Sequence, residues 1–144
     1  MSTEENKAKQ RRVWEEIFNK GDLSLVPELF DTNYVYHGPM GMESKGPDGF
    51  KQVVTMFRTA FPDLHITVDD MVAEGDKVVS RWTFRGTHKG EFMGIAPTGK
   101  QVTGPRILIT HFVGGKEVEA WGSSDMLGMM QQMGVVPPMG QGGG

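Results

Sequence analysis

Cysteine is missing from all 144 residues. That excludes disulfides, thiolate nucleophiles, zinc–thiolate sites and cysteine-held iron–sulfur clusters. A large excess of charge of either sign is missing too. Fifteen basic residues stand against 18 acidic ones, a net charge of −3, without the basic surplus that marks a nucleic-acid binder. No apolar run approaches the roughly 18 residues of a membrane span. The opening MSTEENKAKQRR has no apolar stretch behind its charges, so no secretory signal is expected there. The expectation is a soluble cytoplasmic domain with neither nucleic acid nor membrane as partner. A chain of this length buries about two-thirds of its unfolded surface, so it builds a core without staples.

What is plentiful is glycine, at 20, and methionine, at 11. The closing run Gly134–Gly144 is rich in glycine and proline and is expected to be a flexible tail over 134–144, leaving 1–133 as one domain. The first ~60 residues carry helical periodicity. Ser2 or Thr3 can cap, with Glu5 three residues after Ser2. Val13, Trp14, Ile17 and Phe18 form one stripe, and Gly21 ends that helix. Asp22 can cap a short second helix. Tyr34–His37 has the look of a strand closed by Gly38-Pro39. Pro47 suits a first helical turn, and Phe50, Val53, Val54, Phe57 and Phe61 then line one face until Pro62.

From Leu64 the period becomes two. Strands are expected around 64–68, over 78–85, over 102–113 and from Glu117 to about Ser124, with a last short helix at 126–133. A glycine-punctuated loop fills 86–100, and Gly114–Lys116 is expected to be a three-residue hairpin loop. Helices followed by an antiparallel meander define an α+β fold. A curved, mainly antiparallel sheet wrapped around N-terminal helices makes a cone-shaped barrel with one open mouth, where ligands favour binding.

Motifs of other chemistries fail. Gly46–Gly49 and Pro97–Lys100 lack the spacing of a phosphate-binding loop. There is no Gly-x-Ser-x-Gly elbow. The four histidines show no zinc spacing, so no metal is expected.

The layout and the strings Asn19–Asp22, Tyr34–His37, Phe61-Pro-Asp63, Gly86–Lys100 and Gly115-Lys116 resemble a SnoaL-like polyketide (ester) cyclase, of the nuclear transport factor 2-like fold. The resemblance covers about residues 5–133. It implies the cone-shaped barrel, a homodimer or higher homo-oligomer, and no metal or organic cofactor. It also implies ring closure by intramolecular aldol addition, with a histidine and a carboxylate on facing strands of the last hairpin. The family histidine lies seven residues before the hairpin glycine and the aspartate seven after it. Counted from Gly115, those positions hold Leu108 and Gly122. His111 and Asp125 keep the same separation but are displaced by three residues. An odd shift turns a strand side chain to the other face. His111 is therefore expected to point outward beside Glu119, and Asp125 to cap the last helix.

The candidates that remain follow from parity and position. With Leu108 inward, Arg106 and Thr110 point inward as well. A buried arginine meets an anion or carbonyl when it is not paired internally. His37 is the candidate acid or base, with Arg106 as its oxyanion partner. Trp14, Tyr36, Phe57, Trp82, His88, Met93, Leu108 and Gly122 are the candidate ligand-binding residues. His88 has the alternative role of shaping its loop. On the other sheet face Ile107, Ile109, Val113 and Trp121 would meet water in a monomer, so a homodimer is expected through Ile107, Ile109 and Trp121. Three functions stay open. One is a cyclase-type enzyme moving a proton on a small hydrophobic carbonyl compound. Another is a non-catalytic binder of hydrophobic small molecules. The third is a hydrolase or isomerase using other acids, ranked last because Arg106 has Gly104 and Leu108 as its same-face strand neighbours.

Overall fold

The switch from helical to alternating periodicity divides the chain into an N-terminal helical part and a sheet. The computed structural model describes residues 2–135, and the expected tail lies, from 136 onward, outside the described residues. Helix α1 (Thr3–Arg12) opens with a full capping box: Ser2 Oγ accepts from the Glu5 N–H, and the Glu5 carboxylate accepts from the Ser2 N–H. Its last stretch is not α-helical as the periodicity suggests. Val13–Phe18 is a π-turn, with the Asn19 N–H donating to the Trp14 carbonyl at 3.0 Å. Widening the helix by one residue per turn lets Val13, Trp14, Ile17 and Phe18 all be buried.

Asp22 caps Ser24, and α2 (Val26–Leu29) leads directly into β1 (Phe30–His37), which begins four residues earlier than the sequence pattern indicates. A short strand β2 (Glu43–Lys45), too short to leave an alternating signature, precedes α3 (Gly46–Ala60), which has Pro47 in its first turn. The sheet continues with β3 (His65–Glu74), β4 (Lys77–Thr87), β5 (Gln101–Val113) and β6 (Lys116–Ser124). Helix α4 (Met126–Met133), capped by Asp125, follows. The six strands are ordered β2-β1-β6-β5-β4-β3, antiparallel except where β1 runs parallel to β6. The result is the α+β fold expected: a curved, mainly antiparallel sheet with α1 and α3 packed on one face.

The β5–β6 hairpin differs from expectation in a way that matters for the cavity. Its turn has two residues, Gly114 and Gly115, both with positive φ (58° and 80°), and Val113 pairs with Lys116. This is the geometry of a primed turn, which two glycines adopt at no steric cost. One step on, Phe112 opposes Glu117 and His111 opposes Glu119, so Val118 is the extra residue of a β-bulge. A two-residue turn plus one bulged residue advances β6 as far as a three-residue loop. Leu108↔Gly122, Ile109↔Trp121, Thr110↔Ala120 and His111↔Glu119 therefore pair as the sequence suggests. Phe112 pairs with Glu117 and not with Val118, and this turns Glu117 to the inner face.

Candidate functional site

Between the inner face of the sheet and helices α1 and α3 lies a small cavity that opens to solvent at a mouth. Trp14, Tyr36, Phe57, Trp82, Leu108 and Gly122 line it, together with Arg106. The mouth is bordered by partly exposed Val53, Phe57, Arg106 and Ser124. The closed end is formed by Gln10, Val13, Tyr34 and Glu117, each at most 2 % exposed.

Arg106 enters from β5 near the mouth. Its guanidinium stands over the rings of Phe84 (4.8 Å), Phe57 (5.3 Å) and Trp82 (5.6 Å). It donates to Ser124 Oγ at 3.3 Å and lies 3.8 Å from Met129 Sδ. Among the described residues no carboxylate pairs with it. Removal from water lowers its pKa to about 10, and the neighbouring Tyr36 works in the opposite sense. It remains a cation at neutral pH, held by π faces and one hydroxyl.

Tyr36, on β1 beside Ala120 of β6, shares this part of the cavity. Burial raises its pKa, with the Arg106 cation pulling back, so the phenol keeps its proton and serves as a hydrogen-bond donor. The reason it fits is Gly122. A Cβ at position 122 would stand 2.9 Å from Tyr36 Oη and 3.2 Å from Leu108 Cδ1. Absence of a side chain there is what admits the tyrosine hydroxyl.

At the closed end Glu117 is 1 % exposed, and its Oε2 has no protein partner among the described residues. Burial raises its pKa well above the ordinary carboxylate range. Gln10, fully buried, has neither amide atom hydrogen-bonded within the described protein. Lys9 donates to the Gly115 carbonyl at 2.7 Å, docking the turn of α1 that carries Gln10 onto the hairpin that carries Glu117. Tyr34 stands near, its phenol pushed well up by burial and then by Glu117.

The other sequence candidates lie elsewhere. His37 is on the outer sheet face, its Nε2 2.7 Å from Glu119 Oε2 and its Nδ1 3.5 Å from Glu43, with its ring stacked on Trp121. The cause is parity, since adjacent Tyr36 faces inward. His37 and Arg106 therefore do not converge. His88 is fully buried but outside the cavity, its Nδ1 meeting Thr98 Oγ1 at 3.0 Å and its ring against Phe61. It shapes the loop after β4, the alternative role given above. Met93 is 41 % exposed at φ 49°, away from the cavity. His111 shares the outer face, opposite Glu119.

Sequence reasoning missed Gln10 and Glu117. Both had a signal. Gln10 continues the Val13, Trp14, Ile17 stripe one turn earlier. Gly114-Gly115 favours a two-residue turn, and that turn combined with the Leu108–Gly122 pairing requires a bulge. No cluster of three or more histidine, aspartate or glutamate side chains able to hold a metal occurs among the described residues, and none of their helices is long and apolar enough to cross a membrane.

A curved sheet folded over N-terminal helices around one apolar cavity with few polar groups is the nuclear transport factor 2-like class of fold. Within that class the chain matches the model of the SnoaL-like polyketide cyclases over residues 8–133, and it belongs to that family. It is 30% identical over 121 residues to the aklanonic acid methyl ester cyclase AcmA of Streptomyces galilaeus, covering 83% of this chain and 84% of that protein. It is 28% identical over 130 residues to the aklanonic acid methyl ester cyclase DnrD of Streptomyces peucetius, covering 88% and 90%. The crystal structure of AclR from Streptomyces galilaeus superposes with a TM-score of 0.84 at 31% identity, covering 97% of this chain and 91% of that one.

Proposed function

We propose that this chain is a cyclase-type enzyme acting on a small hydrophobic carbonyl compound, with Arg106 and Tyr36 holding the oxygen that becomes negative. The observation that carries this reading is Arg106, a cation inside an aromatic-walled cavity with no carboxylate among the described residues to neutralise it. Such a group costs free energy unless a ligand's oxygen completes it. In ring closure an enolate carbon attacks a carbonyl carbon of the same molecule. Water at the open mouth takes the α proton when the enolate forms. The C–C bond forms as the C=O π pair moves to oxygen, and that oxygen takes a proton back from water, so the step is proton-neutral overall. Donors fixed before the charge develops lower this barrier most. The guanidinium and the protonated Tyr36 phenol are such donors.

Leu108 and Gly122 stand where the family resemblance puts the histidine and aspartate, so here the oxyanion donors carry the catalysis. That same pair of apolar residues favours a second reading, a non-catalytic binder of hydrophobic small molecules. The outer face bearing Ile109 and Trp121 is assigned to a second copy of the chain.

The test uses aklanonic acid methyl ester, the compound named for two relatives. Ring closure conserves mass, so chromatographic retention is the readout. An enzyme converts it, and Arg106→Met slows conversion about 10- to 100-fold, the worth of one charge-assisted hydrogen bond. Return of the bound compound unchanged favours the binder. Binding of biphenyl-4-carboxylate, followed by quenching of Trp14 and Trp82, should weaken by a similar factor in Arg106→Met. Unchanged affinity would remove Arg106 from the site.

A further inference from the structure

The closed end of the cavity holds polar groups for which ring closure at the mouth has no use. Phe112, the partner of Glu117, lies six residues from Arg106 along β5, about 20 Å at ~3.3 Å per residue. One reacting atom cannot touch both ends. Yet Glu117 and Gln10 are both buried against the cavity, and three of their four polar side-chain atoms have no partner in the described protein. Buried polar groups are normally satisfied, and each orphan costs about 1–3 kcal/mol. A carboxyl and an amide buried without protein partners in the same wall form a polar closed end to a largely apolar cavity.

We infer that Gln10 and Glu117 form a second binding subsite, which takes a hydroxyl group at the far end of an elongated aromatic ligand whose other end is held by Arg106. The chemistry selects a hydroxyl. It donates one hydrogen bond and accepts another, which the Gln10 amide and a carboxyl can return. A second anion is disfavoured, because among the described residues no cation lines the closed end and Glu117 is itself an acid. The bulge at Val118 gains a purpose, since it alone turns Glu117 inward. The inference rests on the cavity reading above and adds the ligand's length and its second polar group.

The probes are biphenyl-4-carboxylate and 4′-hydroxybiphenyl-4-carboxylate, titrated against the full chain by quenching of Trp14 and Trp82. The hydroxylated compound should bind about five- to tenfold tighter, the worth of one net hydrogen bond. Glu117→Leu and Gln10→Leu should each erase that preference while leaving the affinity for the plain carboxylate nearly unchanged. Glu117→Gln, which keeps a donor and an acceptor in the same shape, should retain most of it and guards against a variant that fails to fold. Equal affinity of the two compounds in the parent protein overturns the inference, as does a preference that survives in both leucine variants. Failure of both compounds to bind overturns the cavity reading itself, and the subsite with it.

Discussion

The last hairpin has two faces that differ by one residue of parity and by everything in their chemistry. Its inner face presents Arg106, Leu108, Thr110, Ala120, Gly122 and, through the bulge, Glu117. Polar groups there are few, buried and incompletely paired. Its outer face presents Ile107, Ile109, His111, Glu119 and Trp121, with His37 alongside on β1. Charges there find each other at the surface, while the large apolar groups stand 38–47 % exposed. Unmet hydrogen-bonding capacity thus collects inside and unmet hydrophobic area outside. On the proposed reading, the inner face takes a small molecule and the outer face a second copy of the chain.

The sharpest way to break this comparison is to titrate the inner carboxyl. Burial raises the Glu117 pKa in the folded chain above its unfolded value. Between those two values the native state keeps a proton that the unfolded state has lost, so stability falls as pH rises through that window. One group contributes a slope of at most about 1.4 kcal/mol per pH unit. The melting temperature of the parent chain should fall more steeply from pH 5 to pH 8 than that of Glu117→Gln, whose side chain cannot ionise. Parallel curves for the two proteins would show that Glu117 is not desolvated at the closed end. Tyr34 beside it does not confound the comparison, because its phenol titrates above this range.

Gly122 provides a smaller effect on the same face. Adding a Cβ places it 2.9 Å from Tyr36 Oη, and overpacking of this kind costs about 1–3 kcal/mol. Gly122→Ala should destabilise the parent chain in urea by that amount and should cost less in a Tyr36→Phe background. The difference between the two is the coupling, expected to reach ~0.5 kcal/mol or more. An alanine that costs the same in both backgrounds would mean that the tyrosine hydroxyl does not occupy the space over Gly122.

How much of this was legible in the sequence follows from the same residues. The α+β order, α3, the long strands and the inward set Arg106, Leu108 and Thr110 are periodic features, and periodicity is local. The pairing of Leu108 with Gly122 also survived, because a short turn and a bulge displace the register in compensating senses. What parity could not carry is the bulge itself, so Glu117 was missed. His37 illustrates a different failure: its position in the resembled family suggested the pocket, yet in a strand the neighbour of an inward Tyr36 faces outward. His88 and Met93 sit in the loop after β4, where no period exists to orient them.

The smallest expected effects belong to the outer face. The His37–Glu119 pair lies at 2.7 Å with both side chains more than a third exposed, and pairs of that kind contribute about 0–1 kcal/mol. His37→Ala should therefore shift unfolding by less than about 1 kcal/mol and leave the affinity for biphenyl-4-carboxylate within twofold. A tenfold loss would bring His37 back into the site and erase the division between the faces. Trp121→Glu tests the other half of that division. Trp121 pairs with Ile109 on a sheet face where both stay partly exposed among the described residues, and a charge there opposes burial against a second copy. In sedimentation velocity the parent chain should run as a dimer and Trp121→Glu as a monomer, while Trp14 and Trp82 still report the same ligand affinity. If the variant stays dimeric, the second copy sits elsewhere. If affinity falls with the dimer, the two faces are coupled, and the cavity needs its neighbour to hold its shape.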